Sequence, residues 1–409
     1  SGENSETSGL SGTGSQTVSG DRPNVIVIMN EAFSDLSVLH DFETSEDYMP
    51  FIHSLQKNGE NTVTGNLYVS VVGGNTANTE FEFLTGDSLA FLPSGSVAYQ
   101  QYISEELPSL ADLMTALDYR SIAIHPYLAS GWNRDEVYPL LGFEETYFRD
   151  DFTNPEIIRK YISDRSSYDK IKELYETKED GEKLFIFNVT MQNHSGYSEI
   201  FDNFPISIHL TDIENHPSTE NYLSLIRESD RAFQELVEYF SQEEEDTIIL
   251  MFGDHQPNDY VAECIASLTG TAQEDRSLEE SQNRYIVPFV IWANYDIEEQ
   301  SSVQLSVNYL SSLLLETAGL PATQYQQYLS RLSETLPVVT ANVCIDSDGN
   351  YYAIAEKDES PYADLLDQYW RFQYNHMFDQ SNYPEEFYTL EIETDTGRPL
   401  SAQKGKTSN

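Results

Sequence analysis

The chain has 409 residues, which is long enough for one large or two ordinary domains with a substantial core. Its 22 lysines and arginines stand against 69 aspartates and glutamates, and the resulting net charge of -47 repels nucleic acids and anionic lipid surfaces at long range, so no nucleic acid partner is expected. An anionic substrate would need a local cation, either a metal ion or an arginine, to hold it. The two cysteines, Cys264 and Cys344, are too few for a disulfide scaffold and could form one bridge or none.

The predicted elements begin after a polar segment. Residues 1–21 are mostly Ser, Gly, Thr and acidic residues, which predicts a flexible linker of the kind that joins an ectodomain to a membrane anchor. Over residues 22–320, apolar strand patterns alternate with helical i, i+3, i+4 patterns, which predicts an α/β fold with a mostly parallel central sheet and helices on both faces. The predicted strands are 25–29, 121–125, 184–189, 247–252 and 287–292, and the predicted helices are 48–58, 110–117, 223–240 and 307–317.

The pattern changes in the last quarter of the chain. A hairpin is predicted from strands at 338–344 and 351–354, and a helix at about 362–377 follows it. Residues 321–390 are therefore predicted to form a small α+β layer appended to the main domain. Residues 391–409 are largely polar and are predicted to be a disordered tail.

Polar side chains follow three of the predicted strands. Glu31 follows the first strand, His194 the third, and Asp254 and His255 the fourth. Ligands of open α/β sheets collect beyond the carboxyl ends of strands, so these side chains are expected at one edge of the sheet. Gly253 is expected to let the chain turn, after which a carboxylate and an imidazole lie side by side as a divalent metal requires. An ordinary strand-to-loop turn with a solvated Asp-His pair is the alternative.

The segment VVGGNTANTEFEF supplies a further candidate site residue, Thr76, through its side-chain hydroxyl. Gly73 and Gly74 permit tight backbone geometry before Asn75 and Thr76. A hydroxyl at this point could open a helix as its cap and lie near free backbone N–H groups, which suits a nucleophile that faces an anion. A plain ST-turn and helix cap without a catalytic role is the favoured interpretation of this segment taken alone.

Five motifs in chain order carry a resemblance to a known family. They are NVIVIMNEAF with Glu31, NTANTEF with Thr76, WNRDEVY from Trp132, NHSGY with His194, and GDHQP with Asp254. Together they resemble the lipoteichoic acid synthases, which are phosphoglycerol transferases of the alkaline phosphatase and sulfatase superfamily. The resemblance implies that the main domain is a sulfatase-like catalytic domain.

The resemblance also implies a setting and a set of partners. The domain would lie on the extracellular face of the cytoplasmic membrane, attached through a missing N-terminal membrane anchor, and would act as a monomer. Its donor would be a phosphatidylglycerol-type lipid, and its acceptor a hydroxyl of an envelope glycopolymer or glycolipid. A single divalent cation, Mn²⁺ or Mg²⁺, would serve as the cofactor.

The resemblance assigns roles to individual residues. The metal ligands would be Glu31, Thr76, Asp254 and His255, with Thr76 also the nucleophile. The residues that bind substrate would be Trp132, Arg134, His194 and Tyr127, of which Arg134 and His194 also take part in catalysis. The chemistry agrees, because coordination to a dication activates a poor threonine nucleophile and a guanidinium fork matches phosphate oxygens.

Two departures from the family pattern leave alternatives open. Met29 stands where the family usually has His, and Tyr127 stands where it has an acidic residue, so a less polar head-group pocket is expected. A phosphoethanolamine transferase, or another phosphodiester hydrolase of the superfamily, is therefore an alternative. A wall-binding ectodomain without turnover is the alternative among non-enzymes. A sulfatase activity is disfavoured, because Thr76 lacks the x-Pro-x-Arg sequence that follows a sulfatase nucleophile.

Overall fold

A computed structural model describes residues 22–379, 382 and 384–390. The predicted linker at 1–21 and the predicted tail at 391–409 lie outside the described residues. Among the helices of the described residues, none combines the length and the apolar character that a membrane crossing requires.

Strands and helices alternate along the chain. The strands are β1 (Asn24–Asn30), β2 (Thr62–Tyr68), β3 (Tyr119–His125), β4 (Glu145–Phe148), β5 (Ile157–Ile158), β6 (Tyr161–Ile162), β7 (Lys183–Val189), β8 (Thr247–Gly253), β9 (Ile286–Ala293), β10 (Gln300–Ser306), β11 (Val338–Val339), β12 (Val343–Ile345) and β13 (Tyr351–Ala353). The helices are α1 (Pro50–Asn58), α2 (Thr76–Thr85), α3 (Ala98–Gln101), α4 (Leu110–Ala116), α5 (Arg134–Leu140), α6 (Asp164–Thr177), α7 (Pro217–Phe240), α8 (Asp259–Ala266), α9 (Leu278–Gln282), α10 (Val307–Thr317), α11 (Gln324–Ser333), α12 (Ala363–Met377) and α13 (Glu385–Tyr388).

Eight strands form the central sheet, in the order β10, β2, β9, β8, β1, β7, β3, β4. Seven of them run in one direction, and β9 runs antiparallel to both of its neighbours. The predicted α/β architecture is confirmed. The antiparallel direction of β9 is a difference that its apolar pattern could not reveal, since a buried strand looks alike in either direction.

Helices cover both faces of the sheet, as β1 illustrates. Val25, Val27 and Met29 point into one hydrophobic core, which also holds α2, α4, α5, α10, α11 and α12. Ile26 and Ile28 point into the opposite core, with α1, α6, α7 and α8. This alternation is the period-2 pattern of a strand that is buried on both sides.

Three strands of the central sheet are not predicted from the sequence. The two edge strands are β10, whose first three residues are exposed and polar, and β4, which has only four residues. The third is β2, which contains Gly65, and a Cβ there would lie 1.9 Å from the carbonyl oxygen of Val303 in β10. Close backbone approach therefore explains a residue that weakens the strand pattern.

The C-terminal elements pack against the end of α2. Strands β11, β12 and β13 form a small antiparallel sheet. The hairpin of β12 and β13 is confirmed, but the single strand predicted at 338–344 is wrong, because the chain reverses within it and β11 pairs antiparallel with β12. Helix α12 corresponds to the predicted helix. The Tyr369 hydroxyl on α12 donates a hydrogen bond to the carbonyl oxygen of Gly86 at 2.6 Å, and His376 Nδ1 lies 2.8 Å from Asp87 Oδ2. Both cysteines of the chain are free in the structure, so no bridge joins them.

Gly253, the last residue of β8, has no space beside it for a side chain. Its φ angle lies outside the positive region, so the chain bends after β8 without a backbone conformation that favours glycine. A Cβ at this position would instead lie 1.8 Å from the carbonyl oxygen of Phe33 and 3.1 Å from Val287 Cβ. The tight contact holds the end of β8 against the segment that follows β1.

Gly253→Ala is expected to lower the free energy of unfolding by about 1–3 kcal/mol, because Phe33 backbone must move to admit the methyl group. Chemical denaturation of the purified protein measures the change. Gly131→Ala is the matched control, since a Cβ there would meet only Arg134 Nη1, at an ordinary 3.5 Å. Equal unfolding midpoints for the Gly253 variant and the wild type would contradict the packing argument.

Candidate active site

Adjacent parallel strands bring the predicted metal ligands together. Strand β1 lies between β8 and β7, and Asn30 pairs in register with Gly253. The next residues along these two strands, Glu31 and Asp254, therefore emerge side by side. Glu31, Asp254 and His255 each offer a ligand atom within 4.8 Å of the others, and all three residues are buried.

Hydrogen bonds orient Asp254 and His255. Asp254 Oδ1 accepts from the backbone N–H groups of Ala32 at 2.7 Å and of His255 at 2.8 Å. His255 Nδ1 lies 2.9 Å from the carbonyl oxygen of Gln256, which can only accept, so Nδ1 donates to it and Nε2 faces the cluster. This Nε2 lies 3.2 Å from Asp254 Oδ2 and 3.8 Å from Glu31 Oε1.

The cluster has the donor set of a divalent metal site. Asp254 Oδ2 and His255 Nε2 lie 3.2 Å apart, and both are buried without a hydrogen-bond partner. Burial, with the nearby Asp254 carboxylate, raises the pKa of Glu31 well above its ordinary value. Such unsatisfied buried groups are costly, and a dication would satisfy all of them. Two carboxylates, an imidazole and a neighbouring hydroxyl therefore fit a divalent cation.

Thr76 provides the neighbouring hydroxyl, and its Oγ1 donates a hydrogen bond to Glu31 Oε2 at 3.4 Å. Gly73, Gly74 and Asn75 have φ angles of 70°, 155° and 64°, so the chain turns sharply before α2 in a conformation that favours glycine. Asn75 is the residue that caps α2, and Thr76 is the first residue inside the helix. The cap interpretation of Thr76 is therefore wrong, and its hydroxyl faces the carboxylate cluster.

Three of the predicted substrate residues line a cleft that reaches the cluster. They are Trp132, His194 and Tyr127. Trp132 adopts a left-handed backbone conformation, with φ 57° and ψ 22°. His194 Nδ1 lies 3.1 Å from the Tyr161 hydroxyl, and burial, with a smaller effect of His255, lowers the pKa of His194.

Arg134 also lines the cleft, but a buried carboxylate holds most of its guanidinium. Its Nε and Nη2 donate to Glu80, which lies one helical turn after Thr76 and is fully buried. Its Nη1 lies 3.2 Å from His125 Nε2 and 3.2 Å from the carbonyl oxygen of Gly131. Arg134 thus presents only one edge of its guanidinium to the cleft, whereas the sequence predicts that the whole guanidinium fork is available to phosphate oxygens.

His125 belongs to the cleft but is absent from the predicted site residues. Its Nδ1 lies 2.9 Å from the carbonyl oxygen of Val189, and burial, with the Arg134 charge, lowers its pKa well below the ordinary value. Its position at the end of β3 is the signal that could have identified it. Met29, by contrast, is fully buried in the core and is not among the lining residues, so of the two family departures only Tyr127 changes the cleft wall.

Arg159 is a further residue that the sequence analysis missed. It is 4% exposed. Its Nη2 donates to the carbonyl oxygens of Gln192 at 2.9 Å and His194 at 2.7 Å, while Nε and Nη1 have no hydrogen-bond partner. Arg159 therefore holds the loop that carries His194. A single arginine outside any regular pattern gives no signal in the sequence.

A sequence profile of the sulfatase family matches residues 23–320. The chain belongs to the sulfatase family. Among its relatives, a Rhizobium meliloti protein named for modification of cyclic β-1,2-glucan is 31% identical over 91% of this chain and 57% of that protein. Lipoteichoic acid synthase 1 of Bacillus subtilis is 25% identical over 57% of this chain and 36% of that protein. The chain thus spans between about a third and three fifths of the length of these curated relatives.

A solved structure shares the fold of this sulfatase-family chain. The Streptococcus pyogenes phosphoglycerol transferase GacH, in complex with sn-glycerol-1-phosphate, superimposes with a TM-score of 0.69 at 20% identity, over 89% of this chain and 91% of that one. The predicted kinship with the lipoteichoic acid synthases, within the alkaline phosphatase and sulfatase superfamily, is confirmed. The family name does not state the reaction, and the sequence after Thr76 still differs from that of a sulfatase nucleophile.

Added Mn²⁺ or Mg²⁺ is expected to raise the unfolding temperature of chelator-treated protein, because an ion at a hundred times its Kd stabilises the fold by about 2.7 kcal/mol. His255→Ala should remove most of this shift, since it deletes the Nε2 ligand. His40→Ala is the matched control, because His40 is exposed and lies outside the cluster. Thermal unfolding with titrated ion gives the result, and an unchanged shift in the His255 variant would contradict the assignment.

Proposed function

We propose that this protein is a metal-dependent phosphoglycerol transferase. It moves glycerol phosphate from a phosphatidylglycerol-type lipid to a hydroxyl of an envelope glycopolymer or glycolipid, through a phosphothreonine at Thr76. The observation that carries the proposal is the Thr76 hydroxyl, which lies in a cleft beside the cluster of Glu31, Asp254 and His255. The similarity to a phosphoglycerol transferase and to a lipoteichoic acid synthase supports the donor, and the relative named for glucan modification supports a saccharide acceptor.

The reaction takes place in two displacement steps at phosphorus. Thr76 Oγ1 first attacks the phosphorus, the bond from phosphorus to the diacylglycerol oxygen breaks, and diacylglycerol leaves with a proton. An acceptor hydroxyl then attacks the phosphothreonine, and the threonine oxygen leaves and regains a proton. Across both steps, the acceptor proton replaces the one that departs with diacylglycerol. A bound dication would lower the pKa of the attacking hydroxyl and offset phosphoryl charge.

The cleft suits a head group with neutral hydroxyls. Glu31 supplies the only carboxylate among the described residues that line the cleft, and it belongs to the proposed metal ligands. An ethanolamine ammonium group would need a further carboxylate or an open aromatic face, whereas glycerol hydroxyls need hydrogen-bonding groups such as those of Trp132, His194 and Tyr127. The Arg134 Nη1 edge is proposed to contact the phosphate. The aromatic faces of Trp132 and Tyr127 keep a phosphoethanolamine transferase as the second candidate.

The proposed cofactor is a single Mn²⁺ or Mg²⁺ ion. The ligand set is rich in oxygen, with one imidazole and no thiolate, which favours these ions over softer metals. The proposed location is the extracellular face of the cytoplasmic membrane, with the domain attached through a membrane anchor, because the donor is a membrane lipid and the acceptor an envelope polymer. The strongly negative charge of the chain repels anionic lipid, and a membrane anchor would hold the domain near its lipid donor against this repulsion.

Thr76→Ala is expected to reduce diacylglycerol release from phosphatidylglycerol by at least about a thousandfold, because it removes the attacking oxygen. Thr76→Ser, which keeps a hydroxyl, should retain part of the activity and is the matched control. The assay contains Mn²⁺ and either phosphatidylglycerol or phosphatidylethanolamine, and intact-protein mass spectrometry follows addition of the head group to Thr76.

Each outcome of this assay bears on one part of the proposal. Wild-type turnover in Thr76→Ala would refute the nucleophile. Labelling of Thr76 by phosphatidylethanolamine alone would identify phosphoethanolamine as the transferred group. Inertness toward both lipids would favour another donor or a wall-binding protein without turnover.

A further inference from the structure

Helix α12 and Phe378, the residue directly after it, present a row of exposed aromatic side chains at every fourth position. Trp370, Tyr374 and Phe378 are 40%, 46% and 45% exposed, respectively. The ring centroids of Trp370 and Tyr374 lie 5.8 Å apart, and those of Tyr374 and Phe378 lie 5.7 Å apart. Tyr102 extends the row, with its ring 5.7 Å from that of Phe378. We call these four residues the aromatic row. Singly exposed apolar residues are ordinary, but a contiguous row marks a surface that contacts a partner.

The aromatic row connects to the cleft through one short helix. Tyr102 directly follows α3, and α3 packs against Gly131–Asn133, the segment that carries Trp132 at the cleft wall. The Tyr102 hydroxyl also lies 3.1 Å from Ser96 Oγ, and the carbonyl oxygen of Ser96 accepts a hydrogen bond at 2.9 Å from Asn78, two residues after Thr76. Tyr102, at one end of the row, is therefore linked through α3 to the cleft wall and through Ser96 to α2.

The chemistry of the row and its surroundings favours a neutral saccharide. The electron-rich face of an aromatic ring attracts the positively polarised C–H face of a sugar ring. A groove beside Tyr102 and Phe378 is lined by Gln101, Ser104 and Glu105, whose oxygen atoms can accept hydrogen bonds from sugar hydroxyls. The net charge of -47 opposes an anionic bilayer or polyanion as the partner.

We infer that the aromatic row binds the saccharide portion of the acceptor, as a track that leads its hydroxyl groups toward the cleft. This inference rests on the proposed transfer to an envelope saccharide. It adds an acceptor site that is separate from the donor site, so the two can be tested independently. Loss of the row should weaken acceptor binding and leave the first displacement step unchanged.

The test uses the whole chain and a neutral β-glucan oligosaccharide as the probe. Trp370→Ala and Tyr374→Ala are each expected to weaken oligosaccharide binding, measured by calorimetry, at least tenfold. Tyr260→Ala is the matched control, because Tyr260 is 74% exposed on α8 and belongs to no such row. Diacylglycerol release in the absence of acceptor should stay at the wild-type rate in all three variants, and thermal unfolding verifies that they fold.

Several results would overturn the inference. These are absence of oligosaccharide binding by the wild type, equal binding by the Trp370 and Tyr374 variants, or loss of binding in the Tyr260 control alone. If the Trp370 and Tyr374 substitutions instead abolish pelleting with phosphatidylglycerol vesicles, the aromatic row binds a membrane. If they instead abolish self-association in sedimentation, the row binds a second copy of the chain. If oligosaccharide binding depends on the row but no lipid donor is cleaved, the acceptor surface stands and the proposed transferase reaction fails.

Discussion

Two buried carboxylates and an imidazole meet at the ends of β1 and β8, where Asp254 Oδ2 and His255 Nε2 have no hydrogen-bond partner. Most proteins avoid such an arrangement, since like charges and unpaired lone pairs are costly away from water. Here the register of the two strands imposes it, because Asn30 pairs with Gly253 and the following residues, Glu31 and Asp254, must emerge together. A bound dication would turn this cost into a stabilising interaction and would link metal binding to the stability of the fold.

Helix α2, which begins with the proposed nucleophile Thr76, is held at both of its ends. Near its start, the Thr79 hydroxyl donates a hydrogen bond to the carbonyl oxygen of Asp254 at 2.8 Å. At its far end, Tyr369 and His376 of the C-terminal layer contact Gly86 and Asp87. The C-terminal layer thus supports α2 from behind and contributes to the position of the hydroxyl. Rigid support of this kind keeps a reactive group in place without contacts from the substrate.

Much of the fold could be predicted from periodicity, and the gaps have physical causes. Buried strands such as β1 and β8 are continuous apolar runs, whereas the edge strand β10 is polar and lacks that signal. Glu31 and Asp254 could be predicted as neighbours because strand ends converge. The pairing of Arg134 with Glu80 could not, since it joins two helices through side-chain contacts that no local pattern records.

The central claim is that one divalent cation is held by Glu31, Thr76, Asp254 and His255. The most direct measurement is anomalous X-ray scattering from crystals of the protein grown with Mn²⁺. The account predicts a single anomalous peak, with ligand atoms of all four residues within about 2.3 Å of it. Two peaks of equal height, or one peak from which the Thr76 hydroxyl is remote, would contradict it.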